Sequence, residues 1–464
     1  MSTISYFDAV DHKALLRDYP IRDMLQVYRG MSRDELRARQ EAQFERLMAF
    51  AWQVPFYRRH WGREGIEPGD IRGLDDLPKL PAYSKSDLMA SVEAHPPLGD
   101  FHGRDVLPED RRVPLIFHTT SGTTGKPQPL LWGPKSREVQ NILLARMYHL
   151  QGLTERDVIH SVYGFGPVNG GHYIREAIQH WVGAQVLTAG TGAETRSAQQ
   201  VRMMRDFGAT AIVGFGDYIR HLAEVAREEG IEPGRDIRIA TISGHIGSEN
   251  ADDLAAAWGA GQVFDWYGVG DTGVIAGQGP DLDGMHIMED AQLVELLDPE
   301  THAPVADGEV GDLVCTCLYK DDIYPVIRFQ TQDLTRILPG ENALGLPFRR
   351  MAGHLGRSDN MVKLRGVNVY PQGVGAILSG QFAETTGEYV CIVSDEGGRT
   401  GMTVQVEVRS GLDGLRERME ELLKSRLGVQ IAVEPVPPGA TAGMTQLESR
   451  QKPLRLIRQT GQPQ

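Results

Sequence analysis

Between residues 113 and 275, short apolar runs alternate with stretches of helical periodicity. Val158 to Tyr163, Gln185 to Leu187, Ala211 to Val213, Ile237 to Ile242 and Gln262 to Trp266 read as strands, with helices at Gln199 to Phe207 and Tyr218 to Glu229 between some of them. Such alternation indicates α/β layering. At 464 residues the chain is too long for one compact core, and two to four domains are expected. Residues 33 to 60 are helix-like and charged, with Leu36, Gln43, Phe44 and Leu47 near one face. Residues 284 to 338 change to hairpin-like β structure.

The last hundred residues read as a separate small α+β unit. Strands are expected at Tyr389 to Val393, Met402 to Val408 and Gln430 to Val436. A helix is expected from Asp413 to Leu427, with Leu415, Met419, Leu422, Leu423 and Leu427 on one buried face, Asp413 as N-cap and Gly428 as the stop. The boundary falls near Gly356 to Asn360, which gives expected domains 1–355 and 356–464.

Residues Thr120 to Pro127 read TSGTTGKP, between an apolar run at Val113 to Phe117 and another at Leu130 to Trp132. Glycines let backbone N–H groups approach an anion, hydroxyls add donors and Lys126 adds positive charge, so the stretch suits a phosphate. A Walker A loop is excluded. It needs four residues between its glycines and a hydroxyl residue after the lysine, whereas Gly122 and Gly125 have only two between them and Pro127 follows Lys126.

The net charge of −14 excludes nucleic acid as the main partner, since no overall basic field attracts a phosphate backbone. No apolar run approaches the roughly 18 residues of a membrane span. The N-terminal MSTISYFDAVDHK is polar and acidic, so no secretory leader is expected, and three cysteines fit a reducing cytoplasm. Cys315 and Cys317 with His286 fall short of the four ligands of a zinc site and are expected to be buried thiols.

Further motifs follow in order: WYGVGD at Trp266 to Asp271, RFQTQD at Arg328 to Asp333, GRSDNMVKLRGVNVYP at Gly356 to Pro371, and Lys452 near the end. The series resembles the adenylate-forming superfamily of acyl- and aryl-CoA synthetases. PFYRRHW at Pro55 to Trp61, GMHIMED at Gly284 to Asp290, PVIRFQTQDLTR and RGVNVYP resemble the phenylacetate–CoA ligase branch. The resemblance covers about residues 40 to 458. It implies a large adenylate-forming domain of layered sheets and helices with a small mobile α+β domain after it. The implied activity is ATP- and Mg²⁺-dependent activation of an aromatic carboxylic acid as its acyl-AMP, followed by transfer to coenzyme A.

The resemblance also implies site residues. Thr120, Ser121, Gly122, Thr123, Thr124, Gly125 and Lys126 would hold the β- and γ-phosphates, and Asp271 would help hold Mg²⁺. Gly244, His245, Trp266, Tyr267, Gly268, Asp333 and Arg357 would line the nucleotide, with Tyr267 by the adenine and Asp333 on the ribose hydroxyls. Lys452 would be the catalytic lysine, Asp359 the hinge, and Tyr163, Phe165, Gly166, Phe215 and His245 the acyl pocket. Relatives of this kind often dimerise.

The chain departs from the pattern. Asp271 replaces a Glu, Gly270 a hydroxyl residue and Gln451 a glycine; His245 stands where the branch often has Glu, and Gln330 and Gln332 where it has basic residues. Each residue has a plainer reading: Tyr163, Phe165 and Phe215 as core, His245 as a packed histidine, Arg357 and Asp359 as a surface ion pair. Two rival functions stay open at this stage: an adenylating enzyme that passes its acyl group to an amine or a carrier-protein phosphopantetheine, and a catalytically silent nucleotide-binding protein.

Overall fold

The structure is a computed structural model. It describes residues 4–464 except 110–111, 121–125, 248–250, 366, 397–398, 410–413, 447–452 and 460–464. The chain forms two compact units. The first comprises residues 1–157, 165–186 and 266–353, and the second residues 158–164, 187–265 and 354–464. The last segment of the second unit begins at His354, and the unit also takes in much of the α/β region.

In the first unit the stretch expected as one helix over 33 to 60 is two, Arg33–Ala51 and Pro55–Gly62. Ser32 and Glu35 form a capping box at the start of the first. The break has a covalent cause. Pro55 lacks an N–H and forces the preceding residue out of helical geometry, so Val54 is extended (φ −80°, ψ 125°), and Pro55 then opens the next helix. Three antiparallel neighbours, Gln292–Leu297, Gly311–Cys317 and Phe329–Thr335, lie in one sheet, in which Tyr83–Ser84 pairs parallel with the last of them. The end of Gln262–Val269 pairs antiparallel with Gly273–Gln278 in another. Ile116–Thr119 and Pro129–Trp132 form a two-stranded hairpin, shifted from the expected Val113 to Phe117.

The helix Pro134–Leu150 is buried nearly all round, including Arg137, Glu138 and Arg146. Arg146 pairs with Asp290 at 2.9 Å, and the Tyr28 hydroxyl donates to the same carboxylate at 2.6 Å. Arg137 pairs with Glu176 at 2.6 Å and donates to Asn169. A buried charge persists only when paired and hydrogen-bonded, and each of these is.

In the second unit Val158–Ser161, Ala211–Phe215, Thr241–His245 and the start of Gln262–Val269 are successive parallel neighbours. Helices Ser197–Asp206, Gly216–Glu228 and Ala251–Trp258 supply the connections and share a core that includes Val201, Ile219, Leu222 and Trp258. The strand expected at Ile237 to Ile242 lies later. Ile237 and Ile239 fill that core from the approach to the strand, while Ser243, Gly244 and His245 continue the pairing. At Gly244 only a glycine fits, because a Cβ there would lie 1.7 Å from the Gly214 carbonyl oxygen.

The C-terminal segment of this unit has its own core of residues such as Val374, Tyr389, Val404, Met419 and Leu423. Its sheet runs in the order Ala432–Val436, Arg399–Val408, Thr385–Glu396, Leu456–Gln459. The helix Leu415–Leu427 buries Leu415, Met419 and Leu423, and Gly428 ends it at a φ of 74°. The expected cap, Asp413, lies outside the described residues.

Among the described residues no helix is long and apolar enough to cross a membrane, and no group of three or more His, Cys, Asp or Glu is placed to hold a metal. His286 pairs instead with Asp281 at 3.0 Å, and Cys315 donates to Gln292.

Burial lowers the imidazole of His102 to about 3 and that of His160 to about 4. Both enter the fold neutral, whereas an unfolded imidazole titrates near 6.5. Their contribution is therefore present above about pH 6.5 and is lost as pH falls toward the folded values, because protons bind the unfolded chain first. The thermal midpoint is expected to drop between pH 6.5 and 4.5. A flat midpoint over that window in a buffered thermal-shift series contradicts it.

Candidate active site

In the first unit the expected phosphate loop leaves and re-enters through the hairpin, where Thr119 is opposite Pro129. Thr120 N–H donates to the Gln128 carbonyl at 3.0 Å, and Gln128 N–H returns to Thr120 Oγ1 at 3.1 Å. These bonds pin both ends of the loop. Ser121, Gly122, Thr123, Thr124 and Gly125 lie outside the described residues, and Lys126 is exposed.

Gln128 has a second task. Its side-chain amide donates to Asp271 Oδ1 at 2.7 Å, and the Tyr324 hydroxyl donates to the same oxygen at 2.7 Å. Asp271 is only 4% exposed, so two neutral donors hold a nearly buried carboxylate. At Gly270 a Cβ would stand 3.3 Å from Leu130 Cδ1 and 3.9 Å from Thr120 Cγ2, so this turn lies against the base of the loop.

Lys320 completes the support. It is fully buried, its Nζ donates to the Asp271 carbonyl at 2.8 Å, and it lies 3.7 Å from the centroid of the Trp132 ring and 4.2 Å from that of Tyr324. Two π faces and a carbonyl replace some of the lost hydration. Burial still pulls the ammonium down to about 8, against the neighbouring Cys317, Asp271 and Asp322, which raise it.

The donor set at Asp271 bears on Mg²⁺. That ion takes oxygen ligands in octahedral geometry and is commonly held by one or two carboxylates plus substrate phosphates and water. Asp271 beside the loop fits that mode with a single protein carboxylate. It does not fit a cage made by the protein alone.

Tyr267 and Asp333, 66 residues apart, meet through a hydrogen bond of 2.7 Å from the phenol to Asp333 Oδ2. Both are buried, as is Trp266. Gly268 is set by backbone proximity, since a Cβ there would lie 2.3 Å from the Gly273 carbonyl. Phe165 meets His172 edge-on at 5.8 Å, and the Gly166 carbonyl lies 2.8 Å from His172 Nε2.

The second unit gathers Tyr163, Phe215, Gly244 and His245 at the carboxyl ends of parallel strands, the usual place for a ligand in an open α/β sheet. Phe215 and His245 stack at 4.9 Å with 20° between their planes, and Tyr163 meets Phe215 at 5.2 Å and 66°. The Tyr163 hydroxyl lies 3.1 Å from the Gly214 carbonyl and 2.9 Å from His245 Nδ1. A hydroxyl has one proton. Given to the carbonyl, it leaves the oxygen to accept from an Nδ1–H of His245. Arg357 and Asp359 form a two-bonded ion pair, each bond 2.7 Å. Lys452 lies outside the described residues.

The described site residues thus fall into five groups: the loop base with Asp271, the Tyr267–Asp333 pair, Phe165 and Gly166 against His172, the ring cluster of Tyr163, Phe215 and His245, and the Arg357–Asp359 ion pair. Gln128, Tyr324 and Lys320 were missed by reasoning from sequence. The tyrosine and lysine sit in LYKDDIYPV, where a lysine closing the apolar stretch CLY is the one available signal.

The family of the AMP-binding enzyme C-terminal domain matches residues 366–452. The phenylacetate-coenzyme A ligase of Thermus thermophilus is 32% identical, over 88% of this chain and 94% of its own. The enzyme of that name from Escherichia coli is 32% identical, over 81% and 83%. Among solved structures, a 2-hydroxyisobutyryl-CoA ligase in its postadenylation state superimposes with a TM-score of 0.81 at 26% identity, covering 93% of this chain and 91% of that one.

Proposed function

Because the chain belongs to the phenylacetate–coenzyme A ligase family of adenylate-forming enzymes, we propose that it joins an aryl or arylalkyl carboxylic acid to ATP and passes the acyl group to coenzyme A. The observation that carries this reading is a likeness to phenylacetate-coenzyme A ligases that runs over 88% of the chain and so includes the ring cluster as well as the nucleotide motifs.

In the first step a carboxylate oxygen attacks the α-phosphorus of ATP, the bond to pyrophosphate breaks, and acyl-AMP forms. Two anions must be brought together, so the protein's tasks are positioning and charge neutralisation. Thr120 to Lys126 hold the β- and γ-phosphates, on a base that Gln128 couples to Asp271. Bound at Asp271 and to phosphate oxygens, Mg²⁺ would supply further neutralisation. Asp333, oriented by Tyr267, accepts from the ribose hydroxyls, and Arg357 reaches the same region. Lys452 contacts the carboxylate and α-phosphate. Tyr163, Phe165, Gly166, Phe215 and His245 take the acid, whose ring suits the faces and edges of the cluster.

In the second step the thiol of coenzyme A loses its proton, its sulfur attacks the acyl carbon, and AMP leaves. Domains 1–355 and 356–464 exchange orientation about Asp359 between the steps, so one site serves both reactions. ATP and coenzyme A are cytoplasmic metabolites, and we place the enzyme in that compartment.

Acid-dependent pyrophosphate release tests the reading, with phenylacetate, benzoates and 2-hydroxyisobutyrate as acids and mass spectrometry of the product with coenzyme A. Release with phenylacetate or a benzoate supports it. Release with none of the aryl acids overturns the substrate class. Asp333→Asn removes a charge-assisted acceptor, and such bonds contribute about 1.5–3 kcal/mol. The KM for ATP is expected to rise about 10- to 100-fold, with the KM for the acid nearly unchanged, as initial-rate kinetics would read.

A further inference from the structure

Arg455 ties together two parts of the second unit. One Nη lies 2.8 Å from Asp217 Oδ2. The other donates to Glu388 Oε2 at 2.8 Å and to the Tyr389 carbonyl at 2.9 Å. The guanidinium also covers the Tyr389 ring at 4.7 Å. Glu388 in turn pairs with Arg220. Two cations thus face two carboxylates, with side chains 7% (Arg455), 11% (Arg220), 17% (Asp217) and 9% (Glu388) exposed. At that burial, salt screens them little.

The four residues divide by element. Asp217 and Arg220 stand in the first two turns of the helix Gly216–Glu228, directly after Phe215 of the ring cluster. Glu388 and Arg455 belong to the C-terminal segment, where the Arg455 carbonyl accepts from Cys391 N–H at 2.9 Å and Leu454 N–H donates to the Thr445 carbonyl at 2.9 Å. Arg455 is therefore fastened within its own segment by Glu388, Tyr389 and the backbone. Its link to Asp217, that of Arg220 to Glu388 and a looser one of Arg409 to Glu224 at 3.8 Å are the separable part. At Gly387, φ is 91° and a Cβ would lie 3.2 Å from Arg220 Nε, so the turn before Glu388 admits that arginine closely.

Lys452 precedes Arg455 by three residues. Consecutive Cα atoms are about 3.8 Å apart, so its Cα lies at most about 11 Å from that of Arg455. The position of Arg455 therefore bounds the reach of Lys452.

We propose that Arg455 is a positioning residue for acyl-AMP formation: docked on Asp217, it holds the segment that carries Lys452 against the start of the helix after Phe215, and it leaves Asp217 while keeping Glu388 when the C-terminal part turns for thioester formation. This rests on the assignment of Lys452 made above. A purely structural ion pair would support both half-reactions alike, whereas a separable clamp supports the first.

Asp217→Asn removes charge from the separable side alone and leaves Arg455 paired with Glu388. Single-turnover acyl-AMP formation is expected to slow about 10- to 100-fold, since breaking one side of a buried pair leaves an uncompensated charge. Thioester formation from supplied acyl-AMP and coenzyme A stays within about twofold, and Asp217→Glu recovers most of the lost rate. Arg220→Gln, which cuts the link to Glu388, shows the same split and carries the test if Asp217→Asn does not fold. Equal slowing of both half-reactions, or no slowing of the first, overturns the clamp. Lys452→Ala run alongside separates the two ideas. A slow Lys452→Ala with a normal Asp217→Asn overturns the clamp alone, and normal rates in both overturn the lysine assignment and the clamp with it.

Discussion

Lys452→Ala is expected to slow acyl-AMP formation about 10²- to 10³-fold, the usual cost of removing one preorganised donor aimed at developing charge. In this reaction the entering carboxylate and the α-phosphate are both anionic, and negative charge accumulates where they meet. An ammonium is compact, carries three donors and can sit between two oxygens, which a planar guanidinium does less well. Thioester formation places its charge elsewhere: the sulfur attacks a carbonyl carbon and AMP departs with its own anion. Supplied acyl-AMP should therefore be converted by Lys452→Ala at close to the wild-type rate. Quenched-flow measurement of pyrophosphate, and separately of the thioester, checks both parts. Lys424 is the control, because it lies in the last turn of the helix Leu415–Leu427 and its replacement should alter neither rate.

The second large effect is on folding. Gly244→Ala would drive a methyl group to 1.7 Å from the Gly214 carbonyl oxygen and 2.8 Å from its carbon. The two glycines are register partners in neighbouring parallel strands, so relief requires the strands to part. Strand neighbours Ile212 and Ile242 are fully buried in the core behind them, which resists that movement. Overpacking of this kind costs about 3 kcal/mol or more, and the thermal midpoint should fall by about 10 °C or the protein should become insoluble. Gly166→Ala is the matched comparison. Its new methyl group meets nothing within 4 Å, and the midpoint should hold within about 1 °C. A wild-type midpoint in Gly244→Ala would refute the packing argument.

What can be read from such a chain without coordinates depends on sequence distance. The phosphate stretch is legible because its glycines, hydroxyls and lysine are contiguous, and the α/β region because each strand carries its own apolar run. The helix Leu415–Leu427 is legible because its face repeats within 13 residues and Gly428 stops it. The split at Val54 was open to view through Pro55, and the charged periodicity on both sides obscured it. The support of Asp271 is of another kind. Gln128, Tyr324 and Lys320 reach it from 143, 53 and 49 residues away, and no local pattern announces such a meeting. The same holds for Arg455, whose partners Asp217 and Glu388 are joined to it only by folding. The shift of one strand to Thr241–His245 has a further cause: burial makes Ile237 and Ile239 look like strand residues when they serve as packing on the way in.

The three cysteines have a consequence for the fate of the product. Cys315, Cys317 and Cys391 are all fully buried, and burial pushes the Cys391 thiol up to about 12 and that of Cys315 well above its ordinary value. An enzyme that makes a mixed anhydride carries an electrophile that will acylate whatever sulfur nucleophile reaches it first, and the thiolate is the reactive form. With its own sulfhydryls shut inside the fold, the protein is spared becoming a dead-end acceptor through S-acylation. The sulfur free to take the activated acyl group is the one that arrives on coenzyme A.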